Sequence, residues 1–276
     1  MISSPPYDPM AVIDTSVPNW ARVWHYLLGG KDAYGEDREA ADQFMAVYPG
    51  IARAVQYSRH FQSRAVRHLA VEAGVRQFLD IGAGFTRFPG DDDTHEIAQR
   101  EARESKVVYV DNDPLVIAFG RAIQHSGPEG HIAHIQADAR DIDKIWTEVE
   151  IAGLDPDQPV AVLLINVLEF LDHEDAHTML KQLQVLLAPG SYLVVSHLAK
   201  SPYGVMMQDI ADRARNTGAL ELRPRSIQHI RAYFDGLDVL EPGIVQCPRW
   251  RPEAALFEPT DVPMYAGVGR KPASST

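Results

Sequence analysis

Three apolar runs in this chain each lead into a carboxylate, at the positions where a nucleotide-binding sheet presents its acids. Phe78-Leu79-Asp80-Ile81-Gly82-Ala83-Gly84 reads as a buried strand entering a glycine turn. Val107-Val108-Tyr109-Val110-Asp111 reads as a second strand closed by an acid, and Ile132–Gln136 as a third, followed by Asp138. A glycine turn between strand and helix lets backbone approach a ligand closely, and an acid ending the next strand accepts hydrogen bonds from ribose hydroxyls. Taken alone, Asp80–Gly84 fits a structural turn of any α/β protein as well as it fits a ligand site. Asp111 and Asp138 at successive strand ends favour the ligand. Asp111 is not needed as a helix cap, because Asp113-Pro114 supplies one.

The details of the turn bear on which nucleotide it suits. A dinucleotide turn wants G-x-G-x-x-G, and Gly82-Ala83-Gly84-Phe85-Thr86-Arg87 puts a bulky arginine where the third glycine should permit helix–strand packing. A phosphate-binding loop fails as well: Gly30-Lys31 is followed by Asp32, and the first required glycine falls on His25. S-adenosylmethionine (SAM) has no phosphates and needs close backbone approach plus an acid for two hydroxyls, so it fits better. Two other classes stay open at this point: an NAD-dependent oxidoreductase using the same turn and Asp111, and a non-catalytic SAM-binding protein.

Leu79-Asp80-Ile81-Gly82-Ala83-Gly84, Val110-Asp111-Asn112-Asp113-Pro114 and Ala137-Asp138-Ala139-Arg140 resemble the first three motifs of class I SAM-dependent methyltransferases. With Tyr26-Leu27-Leu28-Gly29-Gly30-Lys31-Asp32, Thr94-His95-Glu96 and Phe234-Asp235-Gly236-Leu237, the chain is similar from about Trp20 to Val268 to a little-characterised subfamily of such enzymes. The resemblance implies a doubly wound, Rossmann-like, mostly parallel seven-stranded sheet with its last strand antiparallel, and SAM as cofactor across the C-terminal ends of the first strands. It places Asp80, Gly82, Ala83 and Gly84 along the methionine and ribose, and Asp111 at the ribose hydroxyls. Asn112 would flank the adenine, Asp138 and the Ala139 N–H would meet its edge, and Asn166 and Val167 would sit near the methyl group. Thr86 departs from the usual third small residue, and the Gly84–Thr94 loop is long and acidic.

Other residues carry chemistry with less specificity. Tyr34, Glu169, His173 and His197 are candidates for a general base or an acceptor ligand, the last three because they fall near the ends of the fourth and fifth strands. His173-Glu174-Asp175-Ala176-His177 matches H-E-x-x-H literally, but it opens a helix after a parallel strand and has no clear third ligand, so no metal is expected. His131 and His134 begin a strand rather than sharing a helix face. Asp91-Asp92-Asp93 reads as a solvated acidic loop ahead of a magnesium site. Tyr26–Tyr34 reads either as a helix end with a solvated turn or, with the resemblance, as a lid over the cofactor. Arg249-Trp250-Arg251 reads as a surface loop between prolines.

These residues need elements to hold them. Residues 1–19, with Pro5, Pro6, Pro9 and Pro18, read as a mobile or extended arm. Helices are expected over Trp20–Leu28, Glu36–Val47 and Ser58–Ala73, so residues 20–74 form a helical segment or lid ahead of a SAM-binding domain over 75–276. Strand–helix alternation then runs through Phe78–Ile81, Val107–Val110, Ile132–Gln136, Val160–Ile165 and Tyr192–Ser196. Helices are expected over Asp93–Arg103, Pro114–Gln124, Asp175–Leu187 and Ile227–Phe234, and short strands at Val239–Leu240 and Met264–Val268. Ala199–Pro224 has no clear pattern. The chain has 276 residues, 45% of them hydrophobic, and a formal charge of −12, which argues against nucleic acid or an anionic membrane as partner and for a small molecule. One cysteine excludes an intrachain disulfide and suits the cytoplasm. No apolar run approaches membrane-spanning length.

Overall fold

The computed structural model describes residues 13–85, 92–252 and 260–273. Most of the arm expected over 1–19 lies outside them, as do Thr86, Arg87 and Asp91. Three helices come first: α1 (Trp20–Leu27), α2 (Gly35–Val47) and α3 (Ile51–Val71). Asn19 caps α1 by accepting the Ala21 N–H at 2.8 Å. The third helix starts well before the expected Ser58, directly after Pro49-Gly50, because Ile51, Ala54 and Val55 extend the same buried face that carries Phe61, Ala65 and Leu69.

The sheet begins with β1 (Gln77–Ile81), followed by α4 (Thr94–Glu101), β2 (Lys106–Asp111), α5 (Pro114–Ile123) and β3 (His131–Gln136). Next come α6 (Ile142–Ile151), β4 (Ala161–Ile165), α7 (His173–Leu186), β5 (Tyr192–Leu198), α8 (Gly204–Asn216) and α9 (Ile227–Ala232). The short β6 (Asp238–Val239) and β7 (Val245–Gln246) precede β8 (Met264–Arg270). The spatial order is β3-β2-β1-β4-β5-β8-β6, and β7 also pairs with β8. Strands β1 to β5 are parallel, and β8 runs antiparallel to β5 along its length. Among the described residues the sheet thus has eight strands where seven were expected. The difference lies at one edge, where two two-residue segments share β8: Val239 faces Gly269 and Val245 faces Ala266.

Two helices, α6 and α8, had no counterpart in the sequence reading. Helix α6 buries only Ile142, Ile145 and Val149. Helix α8 occupies the stretch that had no pattern and buries Met207, Ile210, Ala211 and Ala214. The capping devices are as expected: Asp93 and Glu96 form a reciprocal box at α4, and Asp113 accepts from Leu115 ahead of Pro114 at α5.

The strand pleat divides the core into two faces. Phe78 and Tyr109 point toward α3 and α4, in one cluster with Val23, Phe44, Phe61 and Leu69 from the N-terminal helices. Leu79, Ile81, Val108 and Val110 point the other way, toward Ile145, Leu180 and Leu183. The N-terminal helices therefore pack into the same hydrophobic cluster as one face of the sheet. Trp250, expected on a surface loop, is completely buried against Phe61 at 5.3 Å, and Arg64 holds the loop by donating to the carbonyls of Cys247 and Trp250.

Candidate active site

Strand order reverses at β1, whose neighbours are β2 and β4, and open parallel sheets bind ligands at the C-terminal rim of such a switch point. A cavity of about 520 Å³ opens there. Asp80, Gly82, Ala83, Gly84, Asp111, Asn112, Asp138, Ala139, Asn166 and Val167 all line it. The four candidate acid–base residues do not. Tyr34 sits at the N-terminus of α2, where its N–H donates to Asp37. His173 and His177 stack on the exposed start of α7. His197 is a fully buried residue of β5, with Nδ1 on the Leu198 carbonyl and Nε2 at 2.9 Å from Arg225. Burial and the Arg225 charge push its pKa down to about 3. Glu169 is also fully buried, one layer behind the wall: its carboxylate accepts from Asn166 Nδ2 at 2.8 Å, and burial raises its pKa to about 7.

The three strand-end acids are held differently. Asp80 lies on the α3 face of β1, and its Oδ2 accepts from Gln62 Nε2 at 2.9 Å and Thr94 Oγ1 at 2.7 Å. Asp111 accepts the Gly84 N–H at 2.9 Å on one oxygen and the Asp113 N–H at 2.9 Å on the other, so the carboxylate pins the glycine turn to β2. Burial raises both to a pKa of about 6, against the hydrogen bonds they accept. Asp138 is half-buried, and the Arg140 side chain, bonded at 2.9 and 2.6 Å, lowers its pKa.

The turn itself needs glycine. Gly82 has φ +71°, and a Cβ there would overlap Val167 Cγ2; Gly84 has φ +62°. Asn166 adopts φ +57°, a conformation that asparagine tolerates better than most residues. Its amide group is gripped from behind by Glu169 and Ser196.

Of the rest of the cavity wall, the sequence reading offered only a helical segment or lid over 20–74, with Tyr26–Tyr34 as its candidate cover. Helix α1 roofs the cavity with Trp20, Trp24 and His25, and Leu28 follows. Trp20 stacks on Phe170 at 4.7 Å and 16°, and its Nε1 donates to the Glu221 carbonyl at 3.0 Å, joining the roof to the 219–223 segment. Arg59 of α3 and Arg223 also line the cavity. Asp92 pairs with Arg100 and Asp93 caps α4, which accounts for the described part of the acidic run. Among the described residues no three His, Cys, Asp or Glu side chains are grouped as a metal site.

A Rossmann-like sheet with a glycine turn and carboxylates at the ends of successive strands defines the class: a nucleoside-binding α/β protein of methyltransferase type. The comparisons carry this to a family. A sequence profile of the S-adenosyl methyltransferase family matches residues 7–272, so the chain belongs to that family, whose cofactor is SAM. A DUF574 family protein from Streptomyces avermitilis is 38% identical, with a TM-score of 0.89 covering 95% of this chain and 100% of that one. A crystal structure from Thermobifida fusca, provisionally titled a methyltransferase, is 34% identical at a TM-score of 0.86 over 96% and 99% of the two chains. A Mycolicibacterium gilvum protein, provisionally named as a SAM-dependent methyltransferase, is 31% identical over 115 residues, 41% of this chain and 38% of its own. The alignment thus spans less than half of that curated relative.

The lining suits this cofactor. The strand-end positions offer acids and backbone groups rather than a helix N-terminus aimed at phosphate. A pyrophosphate on the glycine turn would face Asp80 and Asp111, whereas a sulfonium amino acid brings positive charge to them. The dinucleotide alternative loses its footing with family membership. No described helix is long and apolar enough to cross a membrane.

Proposed function

We propose that this protein binds SAM in the rim cavity and transfers its methyl group to a small-molecule acceptor. The observation carrying this reading is that all the cofactor positions named from sequence line one cavity. In this reading Asp111 accepts from the ribose hydroxyls while its backbone bonds fix the turn. Asp80, Gly82, Ala83 and Gly84 follow the ribose and methionyl part. Asn112, Asp138 and Ala139 frame the adenine, and Asn166 and Val167 bound the space beside the methyl group.

Bound SAM supplies an electrophilic methyl carbon on a positively charged sulfur. What the chain must then do is align the acceptor with that carbon, and alignment of this kind contributes on the order of 7–11 kcal/mol. The rigid parts of the wall suit that alignment, since Asn166 is gripped by Glu169 and Ser196, and Val167 wedges against Gly82. The α1 helix roofs the same space. A roofed cavity shared with the cofactor suits a small acceptor rather than nucleic acid, as does the net charge of −12. The single buried cysteine is in keeping with a cytoplasmic setting.

Titration calorimetry with S-adenosylhomocysteine tests the reading. Wild-type protein should bind it, and Asp111→Asn should weaken binding by roughly 10- to 100-fold, the worth of a hydrogen bond to a charged group. Absence of binding by the wild type would remove the proposal.

A further inference from the structure

Shortly after β4 the chain makes a single 3₁₀ turn, Leu168–Phe170, and two walls of the cavity and its roof meet on it. Its middle residue, Glu169, is a fully buried acid that the cofactor reading leaves without a part. Its side chain reaches back under the strand end, where Oε1 accepts from Asn166 Nδ2 at 2.8 Å. Its backbone carbonyl accepts the Arg223 N–H at 2.8 Å, which ties the turn to the 219–223 segment. The next residue, Phe170, stacks on Trp20 of the α1 roof. Glu169 thus joins the cofactor rim to the wall that faces it.

Asn166 is the point that needs holding. Its φ of +57° lies in the left-handed region, which a Cβ disfavours. Both ends of its amide are engaged by residues outside the cavity lining: Nδ2 donates to Glu169 and, at 3.2 Å, to Met264 Sδ, and Oδ1 accepts from Ser196 Oγ at 3.3 Å. The amide is therefore turned away from the rim, and Asn166 lines the cavity through its backbone and Cβ. Val167 follows, wedged against Gly82. Of the two acceptors on Nδ2, a carboxyl oxygen is strong and a thioether weak. The other oxygen of Glu169, Oε2, is buried with no protein partner. An apolar side chain would fill that space at lower cost in solvation, so the acid is retained for the bond it makes.

Resting on the methyltransferase reading, we infer that Glu169 is a positioning residue for methyl transfer: it holds Asn166 in its left-handed turn, which sets the rim beside the methyl group, and it keeps that rim in register with the 219–223 wall. Glu169 touches neither cofactor nor acceptor and moves no proton. It acts through Asn166, because a residue that leaves the left-handed region re-aims its own peptide and the side chain after it, here Val167. In-line attack is sensitive to displacements of about 1 Å, so a rim that moves turns the methyl carbon off the line to the acceptor. The methylated cofactor feels this most. S-adenosylhomocysteine lacks the methyl group and leaves the space beside Asn166 and Val167 unfilled, so the two forms of the cofactor report on the rim differently.

The test measures the affinities of the full-length protein for SAM and for S-adenosylhomocysteine by titration calorimetry and follows their ratio. Glu169→Leu removes the acceptor from Asn166 and should weaken SAM at least about fivefold more than S-adenosylhomocysteine. Glu169→Gln keeps an oxygen for Nδ2 and should hold the ratio within about twofold of wild type. Glu169→Leu/Asn166→Gly should bring the ratio back to within about twofold, because glycine takes the left-handed turn without being held. A general loss of packing would weaken both cofactors together and would not be reversed by glycine. The inference is overturned if Glu169→Leu leaves the ratio unmoved, if Glu169→Gln shifts it as far as Glu169→Leu does, or if glycine at position 166 fails to restore it. Should Glu169→Leu not fold, Glu169→Asp, which withdraws the same carboxylate by one methylene, takes its place in both the single and the double variant with the same outcomes expected. Wild-type protein that binds neither cofactor removes the methyltransferase reading instead, and that outcome is seen before any variant is compared.

Discussion

Gly82 joins the fold to the site at one atom, and Gly82→Ala measures that junction. The residue has φ +71°, where an alanine costs about 1–2 kcal/mol relative to glycine. The added Cβ would also overlap Val167 Cγ2, with Val167 Cβ and Cγ1 both at 3.5 Å, so rotating the valine exchanges one methyl for another. Overpacking of this kind costs about 1–3 kcal/mol. The sum, about 2–5 kcal/mol, is a large share of the stability of an ordinary domain. Urea unfolding should show it as a lower midpoint at unchanged slope. Because Val167 is itself cavity wall, affinity for S-adenosylhomocysteine should fall more than tenfold in the fraction that folds. The double variant Gly82→Ala/Val167→Ala separates the two causes. It relieves the overlap but not the dihedral cost, so the cycle should show a favourable coupling of about 1–3 kcal/mol. Additivity of the two substitutions, or a Gly82→Ala loss under about 1 kcal/mol, would refute the reasoning that backbone and Val167 meet there without slack.

Two further outcomes follow from buried charge. Asp80 has a folded pKa of about 6, above the roughly 3.9 of an unfolded carboxylate, so the folded state holds the proton more tightly and stability falls as pH rises between those values. The penalty is fully present above about pH 6, so Asp80→Asn should raise the Tm of the ligand-free protein more at pH 8 than at pH 5; an equal shift at both would contradict the assignment. Arg22 is 3% exposed, pairs with Asp37 at 2.9 Å and also donates to the carbonyls of Asp14 and Val17. Arg22→Met should cost about 3–5 kcal/mol by leaving Asp37 buried without its cation, and Arg22→Met/Asp37→Asn should recover most of it in urea unfolding; a loss below about 1 kcal/mol would show the pair to be dispensable.

What could be read in advance follows from how far each signal extends along the chain. Strands β1, β2 and β4 are covered on both faces, so they read as apolar runs with no competing period, and the acids Asp80, Asp111 and Asp138 follow in order at the ends of β1, β2 and β3. Helix boundaries were legible where a cap was written locally, as at Asp93-x-x-Glu96 and Asp113-Pro114. Helix α8 was not, since its buried residues Met207, Ile210, Ala211 and Ala214 sit among Asp209, Asp212, Arg213 and Arg215 with no strong stop signal before Gly218. Trp250 was misplaced because flanking arginines and prolines look like surface. In the fold Arg64 reaches back from α3 to hold that loop, a partner 186 residues away that no local window contains.

The site divides along the same line, and the division explains why the expected bases lie elsewhere. The cofactor wall is made of strand ends and the turns after them, so sequence order maps directly onto position along the rim. The opposite wall comes from α1 and from 219–223, whose residues reach the rim only through tertiary packing: Trp20 must stack on Phe170 and bond Glu221 before α1 becomes a roof. Glu169, His173 and His197 were chosen for their place near strand ends, but the pleat and the turn after β4 decide which way they face. Glu169 turns behind Asn166, and His197 turns toward Arg225. His25 directly precedes the Tyr26–Asp32 motif and carries a local signal after all: two glycines and an aspartate follow it at the spacing that folds a carboxylate back onto an imidazole. A Gly-Gly turn after a short helix need not be a mere stop. Where a histidine precedes it and an acid follows, the missing side chain of the second glycine makes room for the ring and the turn closes against its own helix.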